Sequence, residues 1–138
     1  MSALYLETSA VATWLFSEER GADVRAAVDS ARQVATSSLT LTEAERALVR
    51  AEVSGRLRSG DGQRLRGMLQ RAQIAWLKMS ITDEILGRAC MPFPVEPVRT
   101  LDAIHLATAL AFARTLPDIR VLSLDRRILQ NAEALGIG

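Results

Sequence analysis

Four acidic residues, Glu7, Glu43, Asp102 and Asp125, fall at the same kind of position along the chain. Glu7 directly follows the apolar run Ala3-Leu4-Tyr5-Leu6, and Asp125 comes shortly after Val121-Leu122. Glu43 is expected in the first turn of a helix that follows a short strand, and Asp102 opens a helix of its own. In open α/β sheets ligands bind outside the carboxyl ends of the strands, so three of the acids should line one crevice that Asp102 can join. Two like charges about 4 Å apart cost about 4 kcal/mol at an effective dielectric of about 20, so a converged cluster must protonate or bind a cation. An all-oxygen set with no Cys or His cluster points to Mg²⁺ or Mn²⁺ rather than zinc, and carboxylates that hold such an ion through waters suit phosphoryl chemistry. His105, three residues after Asp102, reads as a hydrogen-bonded core residue and stays outside the set.

Each acid also has a purely structural reading. Thr40 with Glu43 fits a capping box, as does Thr42 with Glu45. Asp125 suits the N-cap of a last helix, Glu7 can emerge into water, and Asp102 can be held by the positive end of its helix dipole. These readings give no reason for four acids to share one kind of position.

The elements that must place them follow from pattern and breakers. The stretch 98–112 carries Leu101, Ala103, Ile104, Leu106, Ala107, Leu110 and Phe112 around most of a helix, which predicts a helix buried on several sides with Thr100 as its N-cap. Ala3-Leu4-Tyr5-Leu6 reads as a buried strand, followed by a helix capped by Thr8 or Ser9 and running to Phe16. Gly21 is expected to break it, with a second amphipathic helix over 22–32. Val34-Ala35-Thr36 is a strand, and a long helix is expected over about 40–59 with Leu41, Ala44, Leu48, Ala51 and Leu57 inward. After the Ser59-Gly60-Asp61-Gly62 turn, a helix over 63–73 completes a hairpin arm bearing Arg56, Arg58, Arg64, Arg66 and Arg71, which reads as a solvated face. A strand is expected within 74–79, a helix over 82–90 capped by Thr82 or Asp83, a proline-stiffened loop over 91–97, a strand at 120–122 and a last helix over 125–135 stopped by Gly136. Strands alternating with helices predict an α/β sandwich, three layers around a central parallel sheet.

Composition bounds the rest. The chain has 138 residues, is 49% hydrophobic and carries a net charge of +1, which fits one compact domain over 1–138 and does not by itself announce a nucleic-acid binder. Arg supplies nearly all the cations, Lys78 being the only lysine. No apolar run is long enough to span a membrane and the N-terminus lacks signal-peptide regions, so a cytoplasmic location is expected. The single Cys90 has no partner for a disulfide and is expected to be a small buried or half-buried side chain.

Four blocks carry a resemblance. Leu6-Glu7-Thr8-Ser9-Ala10, Ser37-Ser38-Leu39-Thr40 with Glu43 and Ala47-Leu48, Arg99-Thr100-Leu101-Asp102-Ala103-Ile104-His105-Leu106-Ala107, and Leu122-Ser123-Leu124-Asp125-Arg126-Arg127 resemble, in order and across essentially the whole chain, the signatures of PIN-domain proteins, most closely the VapC-type toxins of toxin–antitoxin systems. The resemblance implies a metal-dependent ribonuclease that cuts RNA phosphodiesters with Mg²⁺ or Mn²⁺, forms a homodimer and is silenced by a cognate antitoxin. It implies Glu7 and Asp102 as principal metal ligands, Glu43 and Asp125 completing the acidic pocket, and Thr8, Ser9 and Ser123 orienting water or phosphate. One position departs: the family pattern has aspartate where this chain has Glu7, and the extra methylene shifts the carboxylate by about an ångström, enough to disturb near-octahedral Mg²⁺ geometry. An RNA- or protein-binding module with weakened or lost catalysis is therefore the alternative. Other acid-based readings fail on residues: Lys78 does not follow a late strand as a receiver-like site needs, Glu7-Thr8-Ser9 is not the Asp-x-Asp of an aspartyl phosphatase, and no glycine-rich loop follows a strand.

Overall fold

A computed structural model describes residues 2–138. Four strands, β1 (Ala3–Leu6), β2 (Gln33–Ser37), β3 (Leu77–Met79) and β4 (Arg120–Leu122), form one sheet in the order β3-β2-β1-β4, with every neighbouring pair parallel. Seven helices connect and cover them: α1 (Thr8–Phe16), α2 (Glu18–Ser30), α3 (Ser38–Val53), α4 (Asp61–Gln73), α5 (Asp83–Ala89), α6 (Thr100–Ala113) and α7 (Arg126–Ala134). The expected three-layer α/β/α arrangement around a parallel sheet is what the chain adopts.

Alternation along β1 explains the layering. Ala3 and Tyr5 join a core with Ala103, Leu106, Phe112, Ile119 and Ile128, whereas Leu6, on the opposite face, packs with Val11, Leu48, Leu65, Leu69 and Trp76. Helix α6 is buried over Ala103–Ala109 with Phe112, as its all-round apolar pattern requires, although Leu101 at its start is 47% exposed. Its N-cap residue is Arg99, and no side chain caps it; Thr100 is already helical.

Several boundaries differ from the sequence expectation, each for a local reason. The first helix is capped by Glu7, whose carboxylate accepts from Ser9 N, and not by Thr8 or Ser9. The chain breaks at Ser17, whose hydroxyl caps α2, and Gly21 lies inside that helix. A Cβ at Gly21 would stand 3.1 Å from Thr13 O and 3.2 Å from Trp14 Cα, so the glycine permits close contact between α1 and α2 instead of ending a helix. Helix α3 begins at Ser38 under a Ser37 cap; the Thr40 hydroxyl donates to Leu6 O, so no Thr40–Glu43 capping box forms, and Glu43 lies beyond the first turn. That helix ends at Val53, short of the expected 59, and Leu57 lies outside it in the connection to α4, partly buried. Strand β3 is only Leu77–Met79, Thr82 caps α5, and Cys90 is exposed rather than buried. The arm's Arg66 is tied to Glu52 at 2.5 Å and Glu45 at 3.2 Å, so it fastens α4 to α3. Beyond α7, Ile137 O accepts from Val121 N, which anchors the chain end to β4 without a further strand. Among the described residues no helix is long and apolar enough to cross a membrane.

Candidate functional site

β1 is the switch point of this sheet: the chain moves from it to β2 and β3 on one side and returns to β4 on the other. The Glu7 amide donates to Leu122 O, 3.1 Å away, so Glu7 leaves the sheet where β1 and β4 part. Three helices begin near that opening with an acid at or near their first turn, Glu7 as N-cap of α1, Asp125 as N-cap of α7 and Asp102 in the first turn of α6. The positive helix ends favour ionised carboxylates there.

Glu7 is 5% exposed and fully engaged. Its Oε1 accepts from the hydroxyls of Ser9 and Ser123, each at 2.5 Å, and its Oε2 from Ser9 N at 3.0 Å. The two serine oxygens, 3.1 Å apart, also accept from Leu124 N and Asp125 N, which stitches the end of β4 to the start of α1. The longer side chain thus curls back to cap its own helix. The serines expected to orient water or phosphate direct their protons to this carboxylate.

Asp102 has the opposite surroundings. Partial burial raises its pKa, repulsion from Asp125 raises it further, the Arg99 guanidinium lowers it, and Glu7 raises it again. Arg99 Nε lies 3.5 Å from Asp102 Oδ2 and its Nη2 3.9 Å from Asp125 Oδ2, but the Arg99 side chain is 84% exposed and so compensates weakly. Asp125 spends Oδ1 on the Ile128 amide, 3.0 Å away. Asp102 therefore has both Asp125 and Glu7 as electrostatic neighbours, an excess of negative charge around it.

Glu43 meets a different set of donors. Its Oε1 receives the Thr8 hydroxyl at 2.6 Å and stands 2.6 Å from His105 Nε2; burial raises its pKa, and the His105 and Thr8 hydrogen bonds more than reverse this, leaving it lowered. His105, 1% exposed, is the hydrogen-bonded core residue expected of it, yet its partners are Glu43, Thr8 and Tyr5. Arg99, Tyr5 and His105 were not among the expected site residues. For His105 the signal is its i,i+3 spacing from Asp102, which puts both on one side of α6.

Among the described residues no three Asp, Glu, His or Cys side chains close into a ready metal cage. A hard divalent cation binds through one or two carboxylates and keeps several waters, and Asp102 carries a charge that its protein neighbours leave under-compensated.

The family model of the PIN domain matches residues 4–134. Among solved structures, the chain is similar to VapC20 of Mycobacterium tuberculosis, a sarcin–ricin loop cleaving toxin, with a TM-score of 0.65 and 17% identity over 98% of this chain and 96% of that one. It is similar also to a toxin–antitoxin complex from Klebsiella pneumoniae, with a TM-score of 0.60 and 23% identity over 90% and 87% of the two chains. The third likeness is to VapBC2 of Rickettsia felis bound to a DNA fragment from its promoter, with a TM-score of 0.56 and 10% identity over 89% and 99%. Among curated proteins none matches.

Proposed function

This chain belongs to the PIN-domain family, and from that premise we propose that it is a metal-dependent endoribonuclease toxin of a toxin–antitoxin pair, one PIN domain over 1–138 that works in the cytoplasm as a homodimer. RNA is its substrate, Mg²⁺ or Mn²⁺ its cofactor and a small cognate antitoxin its inhibitor. The observation that carries this reading is the state of Asp102, a half-buried carboxylate pressed by Asp125 and Glu7 and answered only by an exposed arginine. A fold kept for structure alone gains nothing from that arrangement, whereas a cation site requires it. The similarity in fold to a sarcin–ricin loop cleaving toxin supports the same conclusion.

In this reading Asp102 would be the principal holder of the ion, with Asp125 and Glu7 beside it. A divalent cation bound there would supply Lewis acidity. Glu43 has Oε1 occupied by Thr8 and His105, so its Oε2 is the atom that accepts the proton of the attacking water. Arg99, Arg126 and Arg127 border the acids and meet the phosphates of the RNA backbone. Arg126 and Arg127 open α7, where the helix dipole disfavours cations; an anionic ligand accounts for the placement.

A second reading is favoured by the engagement of Glu7 with Ser9 and Ser123: a PIN-fold RNA- or protein-binding module whose catalysis is reduced or lost. RNA cleavage followed while Mg²⁺ or Mn²⁺ is titrated, in parent and Asp102→Asn proteins, separates the two. Metal-dependent cleavage that vanishes in the variant supports the nuclease. RNA binding without cleavage at any metal concentration overturns it in favour of the module.

A further inference from the structure

His105 is the chain's only histidine, and both of its ring nitrogens are engaged inside the fold. Nδ1 lies 2.9 Å from the Tyr5 hydroxyl, while Nε2 lies 2.6 Å from Glu43 Oε1 and 3.1 Å from Thr8 Oγ1. The four side chains come from β1, α1, α3 and α6, and the Glu43–His105 contact joins residues 62 positions apart. A core histidine that merely satisfies itself would bond any nearby carbonyl; this one meets an acid of the proposed site.

We infer that His105 is a positioning residue that, oriented by Tyr5, locks Glu43 through Oε1 and leaves Oε2 as its working oxygen. The inference rests on the ribonuclease reading. An ionised carboxylate only accepts, so an Nε2 at 2.6 Å must carry the proton. Tyr5, wholly buried, keeps its own proton and directs the O–H at Nδ1, which fixes the proton on the far nitrogen. Thr8 donates to the same Oε1 at 2.6 Å, so two donors converge on one oxygen, and among the described residues no hydrogen bond reaches Oε2. The logic is that of the partners that orient metal-binding side chains from behind, whose loss costs on the order of 10–100-fold in affinity or activity.

The test uses the whole protein. With one histidine, a two-bond ¹H–¹⁵N spectrum of histidine-labelled, metal-free protein reads His105 alone. A proton on Nε2 is expected, and Tyr5→Phe, which removes the hydroxyl but keeps the ring, should move the Nδ1 resonance. A bare Nε2, or no response to Tyr5→Phe, overturns the inference. In cleavage assays His105→Leu should lower kcat at least about tenfold, with KM for RNA and Mn²⁺ affinity read by EPR each staying within about twofold. His105→Gln, whose amide can still donate toward Glu43, should restore most of the lost kcat. Equal losses in Leu and Gln variants mark a packing role and overturn the inference, as does parental behaviour of the Leu variant. Should His105→Leu not fold, Tyr5→Phe carries the kinetic test, with a roughly threefold or larger loss in kcat expected and no loss refuting it. If the parent cleaves no RNA, the ribonuclease reading fails while the spectrum still decides how His105 holds Glu43.

Discussion

Replacing Glu7 by Asp tests the one position where the acid set departs from the family pattern, and the structure sets opposite signs for its two effects. The change removes one buried methylene, about 0.8 kcal/mol of burial. It draws the carboxylate back by about 1 Å from hydroxyls that now donate to it at 2.5 Å, weakening hydrogen bonds to a charged acceptor each worth about 1.5–3 kcal/mol. Aspartate is the better N-cap and should keep the Ser9 amide, which returns a part. A net destabilisation of about 1–3 kcal/mol follows, a Tm lower by roughly 5 °C. Activity should move the other way. Loosened from Ser9 and Ser123, a shorter carboxylate can take the place that metal geometry requires, where a 1 Å error costs on the order of 100-fold in rate. Charge and ordinary pKa barely differ between the two acids, so the gain belongs to geometry. Single-turnover cleavage under saturating Mg²⁺ or Mn²⁺ should rise at least about tenfold with RNA affinity unchanged, while a thermal melt records the loss of stability. A variant that is both less stable and less active refutes this reasoning: the pocket is then built around the longer side chain, and Glu7 in its serine-bound position is already a working ligand.

Asp102→Asn should abolish metal-dependent cleavage, yet stabilise the metal-free protein near neutral pH. Burial and repulsion from Asp125 raise the folded pKa of Asp102, so the folded state holds its proton longer than the unfolded one and loses stability as pH rises through that window. Thermal melts in chelator should therefore show the variant ahead at pH 7 and level with the parent below the ordinary Asp pKa; a variant less stable at pH 7 contradicts the charge repulsion at Asp102. Arg99→Gln should strengthen Mn²⁺ binding about threefold or more while weakening RNA binding, because it removes a cation beside Asp102 and Asp125; calorimetry showing both affinities falling together would rule this out. Gly21→Ala should cost about 1–3 kcal/mol despite alanine's better helix propensity, since its Cβ would press on Thr13 O and Trp14; a denaturant midpoint at or above the parent's refutes the close-contact account.

The sequence by itself determined the layers. Apolar alternation in Ala3–Leu6, the all-round apolar surface of 101–112 and the spacing of strands and helices depend on local periodicity, and each reappears in the fold. It likewise placed Glu7 and Asp125 at strand exits and Asp102 at a helix start, because those positions follow from where elements begin and end. What only the tertiary structure decided is which donor each acid meets. Glu7 is claimed by Ser123 from 116 residues away, and Glu43 by Thr8 and His105, pairings that depend on how β1, α3, α6 and β4 pack side by side. Gly21 shows the same limit from the other side: composition marks a glycine as a breaker, but α1 and α2 pack so closely that a Cβ there would stand 3.1 Å from Thr13 O, and the glycine stays helical. Periodicity is a property of neighbours in sequence, and hydrogen-bond partnership in a parallel sheet is a property of neighbours in space. That is why the acids and neighbouring hydroxyls could be named from the chain, while the carboxylate each hydroxyl meets, and the imidazole and guanidinium beside them, could not.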